Sequence, residues 1–486
     1  MHVAASLLLS AFGVHRLYLA RQYRRHVSGH FRRRAVRTPR RWPFVTVQVP
    51  LYNERYVAER AVRAVAALDY PPDRLEIQVL DDSTDDTPQV LEPVVAELRR
   101  HGVRIEHLRR KSRAGFKAGA LAHGLESAAG DLVAVFDADF VPRPDFLKQV
   151  VGEFENPAVG MVQARWDHIN ENHSLLTRTQ ALQLDAHFTI EHGVRAARGF
   201  FFNFNGTAGI WRKQAIVDAG GWQSDTLTED LDLSYRAQLA GWRFVYRDDV
   251  GVPAELPVEV AAYRQQQQRW AQGGAQSARK LLPTIVRAPL PRAVKREAIW
   301  HLLTHFAYPL LAFVTLAGLC VGLFADTHMA RWVLAADGAL LTFAMGSLGY
   351  FYGVTARARG GIGWWKRTLL IPATMILGAG IALGQTVAVA RGLSGRRTPF
   401  RRTPKYHVGD KADESWREAA YRLPAGMPAL LEFFAGLALL AAAAAEAMRS
   451  DVLPSGLVLL FAMGFMCVGG ISLLQLTNGA APKQNR

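Results

Sequence analysis

Cysteine is almost missing from this chain: 486 residues hold two, Cys320 and Cys467, both inside apolar stretches. That scarcity excludes a disulfide framework and a cysteine-built zinc site, and the fold needs no oxidising compartment. Acidic residues are also short, 42 Asp and Glu against 58 Lys and Arg, leaving a formal charge of +16. The surplus is uneven: Arg16 lies within the first apolar segment, and Arg21, Arg24, Arg25, Arg32, Arg33, Arg34, Arg37, Arg40 and Arg41 follow it closely. Nucleic acid is one partner for such a cluster. Beside an apolar segment, the positive-inside bias and anionic headgroups explain it more simply, so the expected partner is a lipid bilayer and not nucleic acid. Charge of either sign is nearly absent from about 299–324, 331–353, 369–390, 428–447 and 455–474, stretches long enough to cross a bilayer. A wholly soluble protein is thereby excluded. Residues 3–20 are apolar but short and carry His15 and Arg16. No small-residue cleavage site precedes the arginine run and the charge follows the apolar core, which fits a signal anchor with its amino terminus outside better than a signal peptide.

Residues 43–298 mix charge and apolar residues as a globular domain does. Strands are expected at Val45–Val49, Leu75–Leu80, 103–108 and 132–136, alternating with helices at about 54–68, from Thr87 and Pro88 to His101, and at 115–127. Repeated strand–helix units imply an α/β fold, a parallel sheet with helices on both faces and ligands at the carboxyl ends of the strands. The run Leu132–Phe136 stops at two carboxylates, Asp137 and Asp139. Carboxylates at the end of a core strand suggest a divalent cation held with phosphates, although a solvated strand end would look the same in isolation. Two further strand ends are polar, Tyr52-Asn53-Glu54 and Asp81-Asp82-Ser83, which makes an accidental pair a poorer explanation. Residues 140–298 are rich in aromatic residues and amides, a pairing that suits sugar rings with apolar faces and polar rims.

The phrases VQVPLYNE (47–54), QVLDDSTDDT (78–87), GFKAGAL (115–121), FDADF (136–140), VQARW (162–166), FNFNGTAG (202–209), TEDLDL (228–233) and QQQRW (266–270) occur in one order. With them the chain resembles the processive, membrane-embedded glycosyltransferases of family 2, the cellulose synthase superfamily, and within it the cellulose synthase-like A and C proteins that make mannan, glucomannan or glucan backbones. The resemblance implies a GT-A, Rossmann-like nucleotide-sugar-binding domain in the cytosol, inserted between transmembrane helices. It implies that Asp81 and Asp82, with Tyr52 and Glu54, line the nucleoside pocket. Asp137 and Asp139 would bind Mg2+ or Mn2+ with the diphosphate, and Lys117 and Arg113 would add positive charge. Asp230 would be the general base, supported by Glu229. Gln266 and Arg269 would hold the pyrophosphate, and Trp270 would stack on the acceptor end. Phe204, Asn205, Gly206 and Thr207 match an acceptor-facing motif but differ from its cellulose synthase form.

The implied reaction is inverting, processive transfer of hexose from GDP-mannose, UDP-glucose or GDP-glucose to a growing β-1,4-glycan that is extruded across the membrane. The alternative is a single transfer to a membrane lipid. The implied partners are the nucleotide sugar, the polysaccharide and accessory envelope subunits. The expected division is an anchor and basic segment at 1–42, the catalytic domain at 43–298, a membrane region at 299–474 and a cytosolic tail at 475–486 ending with Lys483 and Arg486. Charge parity places 369–390 in the interface rather than across it, because Arg391, Arg396, Arg397, Arg401, Arg402 and Lys405 follow and should stay inside. In that loop, 391–427, Phe400, Thr403 and Lys405 resemble the gating loop of cellulose synthases, with Arg402 in place of a valine. Arg397 and Arg401 have an R-x-x-x-R spacing, yet only about 22 residues separate Lys405 from the next apolar segment, too few for a cyclic di-GMP-binding barrel. The expected location is the plasma or inner membrane, multi-pass, with the catalytic domain cytoplasmic.

Overall fold

The computed structural model describes residues 1–28, 36–324, 327–395, 400, 402–409, 415–419, 421, 423, 426–450 and 456–477. Arg32 to Arg34, Arg396, Arg397, Arg401, Lys483 and Arg486 lie outside the described residues.

Seven strands form one sheet: β1 (Val45–Leu51), β2 (Leu75–Asp81), β3 (Ile105–Leu108), β4 (Leu132–Val135), β5 (Val159–His168), β6 (Gly209–Arg212) and β7 (Arg243–Ala254), in the order β3-β2-β1-β4-β6-β5-β7. The first four are parallel, as the strand–helix alternation implies. The fully parallel sheet expected from the sequence needs one correction, because β6 runs against both β4 and β5. Its amino end therefore reaches the same rim as the carboxyl ends of its neighbours, which brings the segment just before β6 to the polar strand ends.

Both faces of the sheet are covered. Val45, Val47 and Val49 pack with Ala61, Val62 and Leu91 from the helices Ala58–Ala66 and Thr87–Arg100. On the other face Val133, Val135 and Trp211 pack with Leu121 of Phe116–Ser127 and Leu233 of Glu229–Leu239. All four residues of β4 are buried, and burying each valine or leucine contributes about 1.5–3 kcal/mol. That core anchors a strand whose next residues are charged.

A 28-residue helix, Val260–Arg287, leads from the domain to an amphipathic helix, Arg292–Leu302, that buries Glu297, Ala298, His301 and Leu302. The apolar stretch expected at 299–324 is thus divided at Leu303, and the part apolar enough to cross a bilayer is Thr304–Val321. Four more such segments occur among the described residues: His2–Val27, Arg331–Arg359, Ala429–Met448 and Gly456–Gln475. Together these five helices, each long and apolar enough to cross a membrane, flank the domain. The stretch around 369–390 is two helices, Ile371–Gly380 and Ala382–Leu393, meeting at 53°. A Cβ on Gly380 would stand 2.4 Å from the Gly464 carbonyl, and one on Gly392 would stand 2.5 Å from the Gln272 carbonyl. The bent pair is therefore wedged between a membrane helix and the helix that carries Gln266, Arg269 and Trp270.

Candidate active site

The strand ends meet in one cavity with an empty volume of about 1270 Å³. Its wall takes Tyr52 and Glu54 after β1, Asp82 after β2, and Asp137 and Asp139 after β4. Asn205 and Gly206 come from before β6, Glu229 and Asp230 from the first turn of Glu229–Leu239, and Gln266, Arg269 and Trp270 from Val260–Arg287. Arg113, Lys117, Phe400, Arg402, Thr403 and Lys405 complete it.

Lys117 joins the two sides of the reversed strand. Its Nζ lies 2.5 Å from Asp137 Oδ1 and donates to the Gly206 carbonyl at 2.9 Å, while the Asp137 N–H donates to Thr207 Oγ1 at 2.9 Å. Burial pulls the Lys117 ammonium down, but Asp137, Glu229 and Asp230 outweigh it and hold it above its usual range. Gly206 has φ +80°, and a Cβ there would stand 3.0 Å from Asp230 Oδ2, so only glycine leaves this carboxylate its space. Burial and the Glu229 carboxylate push Asp230 up to about 7, against the pull of Lys117. Burial raises Glu229 as well.

Residues 402–409 are fastened across the opposite wall. Lys405 Nζ lies 2.6 Å from Asp139 Oδ2, and Arg402 lies 3.1 Å from Glu54 Oε2. The Tyr406 N–H donates to Glu255 Oε1 and its hydroxyl to Glu259 Oε2, each at 2.8 Å. Burial pushes Glu54 up to about 8, with Arg402 pulling the other way. Arg269 stands 5.0 Å from the Phe400 ring and Arg113 3.3 Å from the Tyr52 ring.

Some expected residues stand behind the wall. Asp81 is 1% exposed and accepts from the Ser83 N–H at 2.8 Å, with His107 Nε2 at 2.9 Å. Burial raises its carboxyl, but these partners outweigh it and hold it below the usual range. Asp82 is the member of that pair on the cavity, gripped by Arg110. Phe204 is fully buried against Trp211, and Thr207 is fully buried beneath Asp137. Sequence reasoning passed over Glu255 and Arg110, although Glu255 follows directly on β7 and the strand-end rule points to it.

Among the described residues no three His, Cys, Asp or Glu side chains converge to hold a metal unaided. Asp137 and Asp139 do present two carboxylates to one cavity, each carrying a lysine ammonium. Such a pair fits a divalent cation whose other ligands come from a bound diphosphate. A second cavity of about 1350 Å³ adjoins the first, sharing Trp166, Asn205, Asp230, Gln266 and Trp270. It runs on to a third, between membrane helices, with which it shares Arg16, Gln183, Thr304, Tyr308 and Tyr352.

Residues 41–273, which carry the mixed sheet and its acidic strand ends, match the family described as Glycosyltransferase like family 2. That segment is a family 2 glycosyltransferase domain. Among similar curated proteins, glucomannan 4-beta-mannosyltransferase 1 of Oryza sativa subsp. japonica is 45% identical over 275 residues, 54% of this chain and 51% of the relative. Glucomannan 4-beta-mannosyltransferase 2 of Arabidopsis thaliana is 44% identical over 287 residues, 58% of this chain and 53% of the relative. The chain thus spans about half the length of the curated relatives it matches. Among solved structures, a mannosyltransferase from Pyrobaculum calidifontis, in complex with GDP-Man and Mn2+, superposes with a TM-score of 0.54 at 22% identity, covering 75% of this chain and 99% of that one. The shared fold is the GT-A-like α/β domain.

Proposed function

We propose that the chain is an inverting, processive β-glycan synthase that transfers mannose from GDP-mannose to the end of a growing β-1,4-linked mannan or glucomannan and passes the product through the membrane. The observation that carries this reading is the cavity in which Asp137 and Asp139 face the same space as Asp230, and which opens through a second cavity toward the membrane helices. The names of the relatives, and the GDP-Man held by the structural neighbour, favour mannose over glucose.

In this reading Tyr52, Glu54 and Asp82 hold the nucleoside, with Asp81 supporting Asp82 from behind. Arg113, Lys117, Gln266 and Arg269 face the diphosphate. Asp137 and Asp139 would hold a divalent cation, Mg2+ or Mn2+, which when bound neutralises charge on the departing diphosphate. Asp230, steadied by Glu229, takes the proton of the acceptor hydroxyl. The hydroxyl oxygen then forms a bond to the anomeric carbon from the side opposite the diphosphate, and the electrons of the breaking C–O bond leave with the nucleotide. The configuration inverts, and one base suffices.

Trp270 and Asn205 face the acceptor, with Phe204, Gly206 and Thr207 shaping its floor. Phe400, Thr403 and Lys405 close the donor side. Since that segment docks on the catalytic cavity, it shares the cytoplasmic side with the domain, and the bent pair turns back without crossing. The membrane is the plasma or inner membrane, and accessory envelope subunits receive the polymer.

Purified protein in nanodiscs, given labelled GDP-mannose or UDP-glucose with Mg2+ or Mn2+, tests this directly. Long products digested by endo-β-1,4-mannanase are expected from GDP-mannose, whereas a labelled lipid carrying one sugar would replace this reading with single transfer.

A further inference from the structure

Asn205 lies where the two cavities meet, and its Oδ1 is a buried atom with no hydrogen-bond partner among the described residues. An orphaned amide oxygen in such a place is costly unless something donates to it. The other end of the amide is held: Nδ2 lies 3.0 Å from His187 Nε2. His187 Nδ1 lies 3.0 Å from Glu191 Oε2, and Arg16 of the first membrane helix lies 2.5 Å from Glu191 Oε1. Burial pushes the Glu191 carboxyl up, but Arg16, the His187 hydrogen bond and Arg195 outweigh it and hold it well below the usual range.

These contacts fix one another in sequence. An ionised carboxylate can only accept, so a neutral imidazole here carries its proton on Nδ1 and leaves Nε2 as the acceptor that faces the Asn205 amide. An acceptor at Nε2 demands the NH2 of Asn205, which turns Oδ1 away from His187. We propose that His187, clamped by Glu191 and Arg16, is a positioning residue that locks the Asn205 amide so that Oδ1 accepts a hydrogen bond from a hydroxyl of the acceptor sugar. The proposal rests on the reading of the second cavity as the acceptor site. It also ties the acceptor grip to the first membrane helix, 171 positions before His187 in the chain.

The test is a double-mutant cycle on the full chain in nanodiscs, with GDP-mannose as donor and a soluble β-1,4-mannooligosaccharide as acceptor. Losing one neutral hydrogen bond predicts an acceptor KM raised about 3- to 10-fold in Asn205→Ala. His187→Ala should raise it to a similar extent, the loss falling on KM more than on kcat. The double variant should be no worse than Asn205→Ala alone, since His187 acts through Asn205. Effects that add, or a His187→Ala protein with the acceptor KM of the unsubstituted chain, overturn the relay. Should His187→Ala fail to fold, Glu191→Gln, which keeps the volume and removes the charge that sets the tautomer, takes its place in the cycle with the same expected results. An unsubstituted protein that turns over GDP-mannose but does not extend the mannooligosaccharide would remove the acceptor-site reading itself, whereas additive effects in a protein that extends it remove only the relay.

Discussion

Lys405→Met removes the cation that sits on Asp139 while keeping most of the side-chain volume. In the structure the two charged atoms are 2.6 Å apart, and the side chains are 9% and 12% exposed. The ammonium also donates to the Glu255 carbonyl, so both a carboxylate and a backbone oxygen lose their partner. Removing one partner of a buried pair costs about 3–5 kcal/mol, chiefly by leaving the other charge unpaired. Asp139 borders an open cavity, so the lower end, about 3 kcal/mol, applies. A stability loss of that size lowers the melting temperature of a domain this large by on the order of 5–10 °C. Divalent cation with GDP supplies positive charge at the same carboxylate, so the deficit should shrink when both are added. The assay is thermal unfolding of solubilised protein, with and without Mn2+ and GDP. A Lys405→Met protein that melts with the unsubstituted one when no ligand is present would refute the reasoning. So would a deficit that ligand leaves untouched.

The pH profile of kcat/KM follows from Asp230, which must be ionised to accept a proton and whose carboxyl is pushed up to about 7. Activity of the free enzyme should therefore climb about tenfold per pH unit below 7 and level off above it, the limb belonging to the Glu229–Asp230 pair together; a limb near 4 in steady-state rates would remove Asp230 from the role. Gly206→Ala places a Cβ 3.0 Å from Asp230 Oδ2 and 3.3 Å from Lys117 Nζ at a backbone angle of φ +80°. The backbone cost is about 1–2 kcal/mol. Since the displaced atoms are the base and its cation, kcat at a temperature where the variant is folded should fall about tenfold or more, and an unchanged kcat would show that the base tolerates displacement.

Local pattern was enough for β1 to β4. Each lies within two residues, at either end, of the range its local pattern and flanking turn signals implied. Asp137, Asp139, Glu229 and Asp230 stand on one cavity because carboxylates beside buried runs have few other places to go. The direction of β6 was not legible, since four residues, Gly209 to Arg212, carry no periodicity that separates parallel from antiparallel pairing. Which of Asp81 and Asp82 faces the cavity depends on where β2 stops, and a one-residue shift in a strand exchanges its two faces. Phe204 and Thr207 sit in a motif whose neighbours reach the cavity, but the bend at Gly206 and Ala208, both at positive φ, buries these two, and no strand alternation encodes it. The break at Leu303 hid inside a continuous apolar stretch. Contacts such as Lys405 with Asp139 and Asn205 with His187 join distant segments through tertiary packing, which no local spacing encodes.

The central claim is that Asp230 is the base of a nucleotide-sugar transfer site. Its most direct test is Asp230→Asn, a change of nearly equal volume, measured for polymer formation from GDP-mannose and, separately, for binding of GDP with Mn2+. Loss of a general base predicts a fall in kcat of about 10²- to 10⁴-fold, with nucleotide affinity within about threefold of the unsubstituted protein. Polymer formation by Asp230→Asn within about tenfold of the unsubstituted rate would contradict the account.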